Sequence, residues 1–273
     1  MAAASAAQTR PFPLHTGIAT VTAVARITPQ MARITLGGDA VAGYPDEEPG
    51  EILTLIWPAE GAAEPVLPLK GTWRFPPEAP EQHARNYTIR AYDPDGVGGA
   101  ALTIDVVLHG DGAIASRWGG SVRPGDRIGV AGPRTHFTTD ADADYTLLVG
   151  DETALPSIAA TLERLPAGHR ALAYIEVADA DERQDLEPRC DAEVTWIHRD
   201  GDPAGRSPKL LETLRAAALP DGRAKVWVAG ESLAVRALRE HLRDERGLPI
   251  GPMQAIGYWK HRTTPDDVDA DES

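Results

Sequence analysis

Arg85-Asn86-Tyr87-Thr88-Ile89-Arg90 is the stretch of sequence that most constrains the fold of this chain. Tyr, Thr and Ile favour β-structure, and the stretch has the alternation of a half-buried strand. Because successive side chains of a strand point to opposite faces, we expect Arg85 and Tyr87 to share one face. Thr88 and Arg90 should share the other. The strand would then carry a guanidinium, an aromatic ring and a hydroxyl close to one another.

Stretches of the same kind precede and follow this strand. Six strands with turn signals between them and little helix are typical of a Greek-key barrel. The fold predicted for the N-terminal half is therefore a six-stranded antiparallel Greek-key barrel. Its other strands are expected at residues 17–27, 31–36, 51–57, 101–109 and 126–131.

The pattern changes after the polar, acidic residues 138–144. Short apolar strands then alternate with segments of helical spacing, which predicts an open parallel α/β sheet with helices on both faces. The strands are expected at 145–149, 171–177, 193–198, 225–229 and 253–259, and the helices at 155–165, 208–218 and 232–246. The expected division is a disordered start at 1–15, a barrel domain at 16–139, an α/β domain at 140–262 and a disordered acidic tail at 263–273.

The composition excludes several classes of protein. A formal net charge of −14 argues against nucleic acid as a partner, because phosphate binding needs a basic surface. Cys190 is the only cysteine, which excludes an intrachain disulfide and a four-thiolate iron–sulfur cluster within one chain. No run of roughly eighteen apolar residues predicts a membrane span, and the Ala-rich start lacks the basic residues of a signal peptide. We therefore expect a cytoplasmic monomer without a metal site.

A flavin nucleotide would use the groups that residues 85–90 carry. Its pyrophosphate binds a bidentate cation, its ring system needs a stacking surface, and its N5 edge needs a hydrogen-bond partner. The alternative is an ordinary barrel strand with two solvated arginines. From these six residues alone, both interpretations stay open.

The pattern Arg-x-Tyr-Thr-x-Arg resembles the flavin signature of the ferredoxin-NADP reductase superfamily. Three further segments resemble, in order, the siderophore-interacting protein family, which comprises FAD-dependent ferric-siderophore reductases. They are 109–118 (His-Gly-Asp-Gly-Ala-Ile-Ala-Ser-Arg-Trp), 150–156 (Gly-Asp-Glu-Thr-Ala-Leu-Pro) and 257–260 (Gly-Tyr-Trp-Lys). The resemblance extends from Gly17 to Arg262. It implies FAD as the cofactor, NADH or NADPH as the electron donor and a ferric siderophore as the substrate.

The resemblance also implies roles for particular residues. Arg85 would bind phosphate, Tyr87 would stack on the flavin ring and Thr88 would contact its N5 edge. Tyr87 and Thr88 are therefore the catalytic candidates. Further cofactor contacts are expected from His109, Gly112, Ala115, Ser116, Asp151, Thr153 and Trp259. The candidates for the substrate pocket are Arg90, Arg117 and Lys260.

Each segment also has a purely structural interpretation. Residues 109–118 can be a strand–turn–helix joint. Residues 150–156 can hold a helix cap made by Thr153 or Asp151. Residues 257–262 can form an edge strand with a basic end that offsets the acidic tail.

Two positions bear on the identity of the ligands. Members of the family commonly carry a lysine in the third strand, where this chain has Leu53-Thr54-Leu55. Either other cations replace that lysine, or the ligand is less negative. Glu176 and Asp179, at the end of the second α/β strand, favour a nucleotide with a free ribose 2′-hydroxyl.

The function that we expect is the FAD-dependent, NAD(P)H-driven reduction of a ferric siderophore. Reduction would release the metal, because siderophores are hard oxygen chelators that hold Fe(II) far less tightly than Fe(III). One alternative is a flavin reductase with a protein electron acceptor. A second is a ferric-siderophore binding protein with little turnover.

Overall fold

The computed structural model describes residues 14–109, 113–135, 137–140, 142–250 and 254–261. The predicted disordered tail at 263–273 lies outside these residues, as does the predicted disordered start except for its last two residues. Throughout the described part, no helix is long and apolar enough to cross a membrane.

The described N-terminal half forms a barrel of antiparallel strands. The strands are β1 (His15–Thr28), β2 (Met31–Gly37), β3 (Ile52–Ile56), β4 (Ala84–Asp93), β5 (Ala101–Val107) and β6 (Arg127–Arg134). They close in the order β1-β2-β5-β4-β3-β6. Alternate side chains fill the interior, and Ile34, Leu53 and Ile104 are fully buried there. This confirms the predicted six-stranded antiparallel barrel.

β4 departs from regular alternation at Arg90. Ile89 pairs with Ile104 of β5, and Ala91 pairs with the next residue of that strand, Thr103. Arg90 is therefore an extra residue in the ladder, which is a β-bulge. The regular alternation predicted for this stretch is wrong beyond Ile89, because a bulge changes which face the following side chains occupy.

The second half forms a parallel sheet with helices on both faces, as predicted. Its strands are β7 (Tyr145–Asp151), β8 (Arg170–Val177), β9 (Asp191–His198), β10 (Ala224–Glu231) and β11 (Ala255–Trp259), in the order β11-β10-β7-β8-β9. The helices of the chain are α1 (Ile114–Ser121), between β5 and β6, then α2 (Leu155–Arg164), α3 (Lys209–Ala216) and α4 (Ser232–Glu240). Leu148 packs with α2 on one face, and its neighbour Leu147 packs with α3 and α4 on the other.

The helix predicted over 232–246 does not stay α-helical to its end. α4 ends at Glu240, and a π-helical turn, His241–Glu245, continues it. Leu242 in this turn is fully buried with the core that α3 and α4 share. The wider turn thus keeps an apolar side chain on the sheet.

Several contacts join the two halves, and two of them involve buried or bidentate carboxylates. Arg90 of β4 forms a bidentate ion pair with Glu163 of α2. In the segment that follows β8 in the chain, the buried carboxylate of Glu182 accepts hydrogen bonds from the Thr28 hydroxyl at 2.5 Å and from the Gln30 backbone N–H at 2.8 Å. Both contacts join polar groups of the barrel to carboxylates of the α/β half.

Candidate functional site

Arg85 and Tyr87 lie close together on β4. The Tyr87 ring packs against the barrel core, and burial raises the pKa of its hydroxyl, while the charge of Arg85 opposes this rise. Arg85 is exposed, and its Nη1 donates a hydrogen bond to the Ala84 carbonyl at 2.8 Å. Within the described residues it forms no salt bridge. The strand therefore presents an unneutralised guanidinium beside an aromatic ring, which suits a flavin phosphate and ring.

Thr88 is buried where β4 meets the last strand of the parallel sheet. The phenol oxygen of Tyr258, on β11, is buried and makes no hydrogen bond of normal geometry with the described residues. Thr88 and Ser157 lie beside this oxygen, and burial raises the pKa of Tyr258. A buried polar atom without a partner is costly, so a ligand atom that completes its hydrogen bonding would be stabilised here. Tyr258 was not among the predicted site residues.

The joint between β5 and α1 holds three of the predicted cofactor residues. The backbone N–H of His109 donates to the hydroxyl oxygen of Ser116 at 3.0 Å, and both Ser116 and Ala115 are buried. α1 begins at Ile114 with no side-chain hydrogen bond at its N-cap. Among the described residues no side chain caps the N–H groups of its first turn, which is where a helix can bind an anion such as a pyrophosphate. Gly112 lies outside the described residues.

Asp151 joins three segments at the carboxyl edge of the parallel sheet. Its Oδ1 accepts from the Thr153 backbone N–H at 2.9 Å and from the Thr153 hydroxyl. Its Oδ2 accepts from the Glu231 backbone N–H at 2.9 Å and from the Trp259 indole N–H at 2.8 Å. Burial and the neighbouring Glu152 raise the pKa of Asp151. Three predicted cofactor residues, Asp151, Thr153 and Trp259, are thus brought together.

The structural alternative for residues 150–156 was a side-chain cap on α2. The N-cap of α2 is Ala154, and no side chain accepts a hydrogen bond there. Instead, the backbone N–H and the hydroxyl of Thr153 both donate to Oδ1 of Asp151, and these bonds stabilise the turn between β7 and α2. The proposed cap is therefore wrong.

Arg199, which follows β9, is buried between two carboxylates at the same edge. Its two terminal nitrogens donate to Glu152 at 2.6 and 2.7 Å, and Oε1 of Glu176 lies 3.6 Å from Nη1. Burial raises the pKa of Glu176 to about 7. Sequence reasoning missed Arg199. The available signal was its position directly after a strand whose carboxyl end must lie at this edge.

A cavity of about 230 Å³ opens beside these carboxylates. Leu210 of α3 and Val235 of α4 belong to its apolar wall, and Asp151, Glu176 and Glu231 contribute to its polar side. Open α/β sheets bind ligands outside the carboxyl ends of their strands. The cavity is therefore our candidate for the nucleotide side of the site.

The three candidates for the substrate pocket come from three separate elements. Arg117 is exposed on α1, and Lys260 is exposed directly after β11. The side chain of Arg90 is only 11% exposed and is paired with Glu163. Because this carboxylate already balances its charge, Arg90 is a weaker candidate for holding an anion than the exposed Lys260.

Arg134, at the end of β6, is a cation that sequence reasoning missed. It donates to the Thr54 hydroxyl at 3.2 Å and to the Asn86 side chain, and its guanidinium lies 4.5 Å from the centroid of the Trp73 ring. Its Nε is buried without a partner, and no carboxylate pairs with it among the described residues. Thr54 belongs to the strand where the expected lysine is missing, so Arg134 brings a positive charge to that place.

Comparisons with known proteins agree with this geometry. Residues 20–137 match the family model described as siderophore-interacting FAD-binding domain, and residues 143–262 match the model of siderophore-interacting proteins. A siderophore utilization protein from T. fusca superposes with a TM-score of 0.82 at 38% identity, over 94% of this chain and 97% of that one.

Two relatives that are named as reductases match this chain over most of their length. The NADPH-dependent ferric-chelate reductase of Escherichia coli is 30% identical over 88% of this chain and 91% of that protein. The ferric vibriobactin reductase ViuB of Vibrio cholerae is 29% identical over 86% of this chain and 85% of that protein. With both halves matched in order, the chain belongs to the siderophore-interacting protein family.

Proposed function

We propose that this protein is an FAD-dependent NAD(P)H oxidoreductase that reduces Fe(III) in a ferric siderophore and so releases Fe(II). The observation that carries the proposal is the meeting of Thr88 on β4 with the orphaned hydroxyl of Tyr258 on β11. This contact sets the strand with flavin-binding groups against the sheet whose edge carries the cavity. The names of the relatives, which are ferric-chelate and ferric-siderophore reductases, support it.

The residues of the barrel fit FAD. Arg85 would hold phosphate together with the first-turn N–H groups of α1, and Tyr87 would supply the stacking surface. Held there, FAD would supply the redox chemistry that links a hydride donor to a one-electron acceptor such as Fe(III). The tasks of the protein are to bind, to orient and to exclude water.

Thr88 and Tyr258 are protic side chains that lie, with Ser157, at a point where the two halves meet. Because burial raises the pKa of Tyr258, its phenol stays protonated at neutral pH. The two hydroxyls therefore donate hydrogen bonds without adding negative charge. We assign them to the polar edge of the flavin, where Thr88 would contact N5.

Cations on the barrel and after β11 would hold the chelate. With a net charge of −14, most of the surface repels an anion. Arg117, Lys260 and Arg134 are the cations that we assign to an anionic chelate. Arg134 would take the place of the lysine that other family members carry in the third strand. Once reduced, Fe(II) is held weakly by hard oxygen ligands and leaves.

The test uses the full chain loaded with FAD under anaerobic conditions. Addition of NADH or NADPH should bleach the flavin absorbance, and a ferric siderophore should restore it while a ferrous-specific dye reports Fe(II). Two Fe(II) should form for each nucleotide oxidised, since the nucleotide donates a hydride, which carries an electron pair, and each Fe(III) takes one electron. Arg85→Ala should bind FAD more weakly, whereas the control Arg26→Ala, which changes an exposed arginine on β1, should bind it as the natural protein does.

The same experiment distinguishes the alternatives. Flavin bleaching without Fe(II) formation would favour a protein electron acceptor. Tight chelate binding without flavin bleaching would favour a binding protein. A protein that takes up no FAD would contradict the proposal. A monomeric state and a cytoplasmic location stay predictions.

A further inference from the structure

Among the described residues, four carboxylates meet at the carboxyl edge of the parallel sheet, and three of them have both oxygens engaged. Asp151 accepts from the three segments described above. Glu152 gives both oxygens to Arg199. Glu231 accepts from two N–H groups of α4 with Oε2 and from the His261 N–H with Oε1. Every oxygen of these three carboxylates therefore already accepts at least one hydrogen bond.

Glu176 is the fourth carboxylate, and it differs from the others. It is only 4% exposed, and its Oε1 lies 3.6 Å from Arg199. Its Oε2 is buried and makes no hydrogen bond of normal geometry with the described residues, although the Ser207 hydroxyl lies close enough to lower the pKa of Glu176. It lines the cavity next to Ser207. A buried carboxylate oxygen without a donor costs free energy, so a ligand hydroxyl at this place would be stabilised.

The shape and lining of the cavity suit a nucleoside. Leu210 and Leu211 of α3 and Val235 of α4 give it apolar walls, and Glu176 lies on its polar side. A base and ribose present apolar faces together with a hydroxyl edge. Such ligands are bound by apolar walls with a few placed polar groups.

The buried cation and the lysine nearest this edge are already neutralised. Arg199 is held between Glu152 and Glu176. The ammonium of Lys209 donates to two backbone carbonyls and lies 3.5 Å from Asp202. Because both side chains are already paired, neither is expected to bind a phosphate group.

We propose that this edge selects a nicotinamide nucleotide whose adenosine ribose carries two free hydroxyls, so that the protein prefers NADH to NADPH, and that Glu176 accepts the hydrogen bond of a ribose hydroxyl. The proposal rests on the function proposed above and names its electron donor. A 2′-phosphate would bring roughly −1.5 to −2 charge next to this group of carboxylates, which repel it. The E. coli relative is named an NADPH-dependent reductase. We therefore assign the preference for NADH to residues of this chain and not to the family as a whole.

A binding measurement tests the preference without any reaction. The FAD-loaded protein is titrated with ADP-ribose and with 2′-phospho-ADP-ribose in a calorimeter. We expect ADP-ribose to bind at least about tenfold more tightly, the lower end of what a hydrogen bond to a charged group contributes. Equal binding of the two fragments, or tighter binding of the phosphorylated one, overturns the proposal, and this comparison needs no variant.

Variants then test the role of Glu176. Glu176→Gln should reduce the NADH-to-NADPH ratio of kcat/KM for flavin reduction by about tenfold to hundredfold and leave the KM for the ferric chelate unchanged. Glu193→Gln is the matched control. It removes the same charge from the same sheet, near the start of β9, where Glu193 pairs with exposed Arg170. A ratio that Glu176→Gln leaves unchanged contradicts the assignment.

Arg206 offers the competing explanation, because it is exposed and also lines the cavity. If Arg206→Ala weakens only 2′-phospho-ADP-ribose, then the cavity is a phosphate site and the proposal fails. Failure of both nucleotides to reduce the flavin would instead contradict the proposed function, and the fragment titration would still decide the preference.

Discussion

Arg85 and Arg90 lie on the same strand but have different surroundings, and this difference gives a test. Arg85 is exposed without a carboxylate partner among the described residues, so Arg85→Ala should leave the stability of the apoprotein unchanged. It should weaken FAD about tenfold to hundredfold, since it removes a charge-assisted bond to phosphate. Equilibrium dialysis of FAD and thermal melting of the apoprotein measure the two effects.

Arg90→Ala is the matched comparison on β4. It leaves the Glu163 carboxylate, which is 32% exposed, without its partner and removes a contact between the two halves. The apoprotein should lose roughly 1–3 kcal/mol of stability, and FAD affinity should fall less than in Arg85→Ala. Equal losses of FAD affinity in the two variants would show that the phosphate assignment is wrong.

Glu51 makes stability depend on pH. It is 2% exposed, its Oε2 has no hydrogen-bond partner, and burial raises its pKa to about 7. The unfolded chain releases this proton near pH 4.3, so between about pH 4.3 and 7 the folded state binds more protons than the unfolded one. The free energy of unfolding therefore falls as pH rises through this window.

Glu51→Gln removes that ionisation. At pH 5 the variant should be about as stable as the natural protein, and at pH 8 it should be more stable by roughly 1–3 kcal/mol. Glu176 is present in both proteins, so its own titration cancels. Urea unfolding at the two pH values measures the difference, and parallel pH profiles would refute the assignment.

Some site residues could be predicted from the sequence and others could not. Arg85, Tyr87 and Thr88 stand in one short pattern whose chemistry is local. Arg134 contacts Thr54 only because β6 pairs with β3 in the closed barrel. Tyr258 meets Thr88 through the docking of the two halves. Neither the pairing of β6 with β3 nor this docking leaves a periodic signal along the chain.

At the scale of elements, the joint between β7 and α2 depends on the glycine that precedes Asp151. A Cβ at Gly150 would lie 2.4 Å from the Ala154 Cβ and 2.5 Å from the Ala229 carbonyl oxygen. Gly150→Ala should therefore destabilise the protein by about 1–3 kcal/mol, the usual cost of overpacking. Chemical denaturation measures the loss.

Gly120→Ala is the control for this substitution. Gly120 lies in α1, and apart from its chain neighbours and the backbone of its own helix, no described atom lies within 4 Å of the position that a Cβ would take. Alanine favours the helix by up to about 1 kcal/mol, so this variant should be equal to or more stable than the natural protein. If the two variants behave alike, close packing at the joint does not limit the residue type.

The strands and helices can be predicted from local patterns in the sequence, whereas the bulge and the π-helical turn within them cannot. Apolar periodicity places the described strands and the helices α2, α3 and α4 within a few residues of their observed positions, whereas periodicity does not predict α1. The bulge at Arg90 and the π-helical turn at His241–Glu245 each change the register in a segment of ordinary composition. Their cause is packing against neighbouring elements, which a single sequence does not display.

At the scale of the whole molecule, Glu182 ties the α/β half to the barrel. Glu182→Ala would leave the Thr28 hydroxyl and the Gln30 N–H without their acceptor, at a cost of roughly 1–3 kcal/mol for each group that stays buried. The melting temperature should fall. Glu187→Ala, an exposed position on the following loop, should leave it unchanged.

Calorimetry gives this prediction a second readout. If Glu182 couples the two halves, its removal should broaden or split the unfolding endotherm, because the halves then melt less cooperatively. An unchanged endotherm would show that the other contacts suffice. The sequence alone does not reveal this contact, since Glu182 stands in an acidic stretch that is typical of a solvated surface.

Asp151 holds the turn after β7, the end of β10 and the end of β11 on one buried carboxylate. The ordering entropy of these three segments is therefore lost when the chain folds and not when a nucleotide arrives. Binding to such a preorganised edge should need no slow rearrangement. In rapid mixing, the observed association rate should rise in proportion to nucleotide concentration without reaching a plateau.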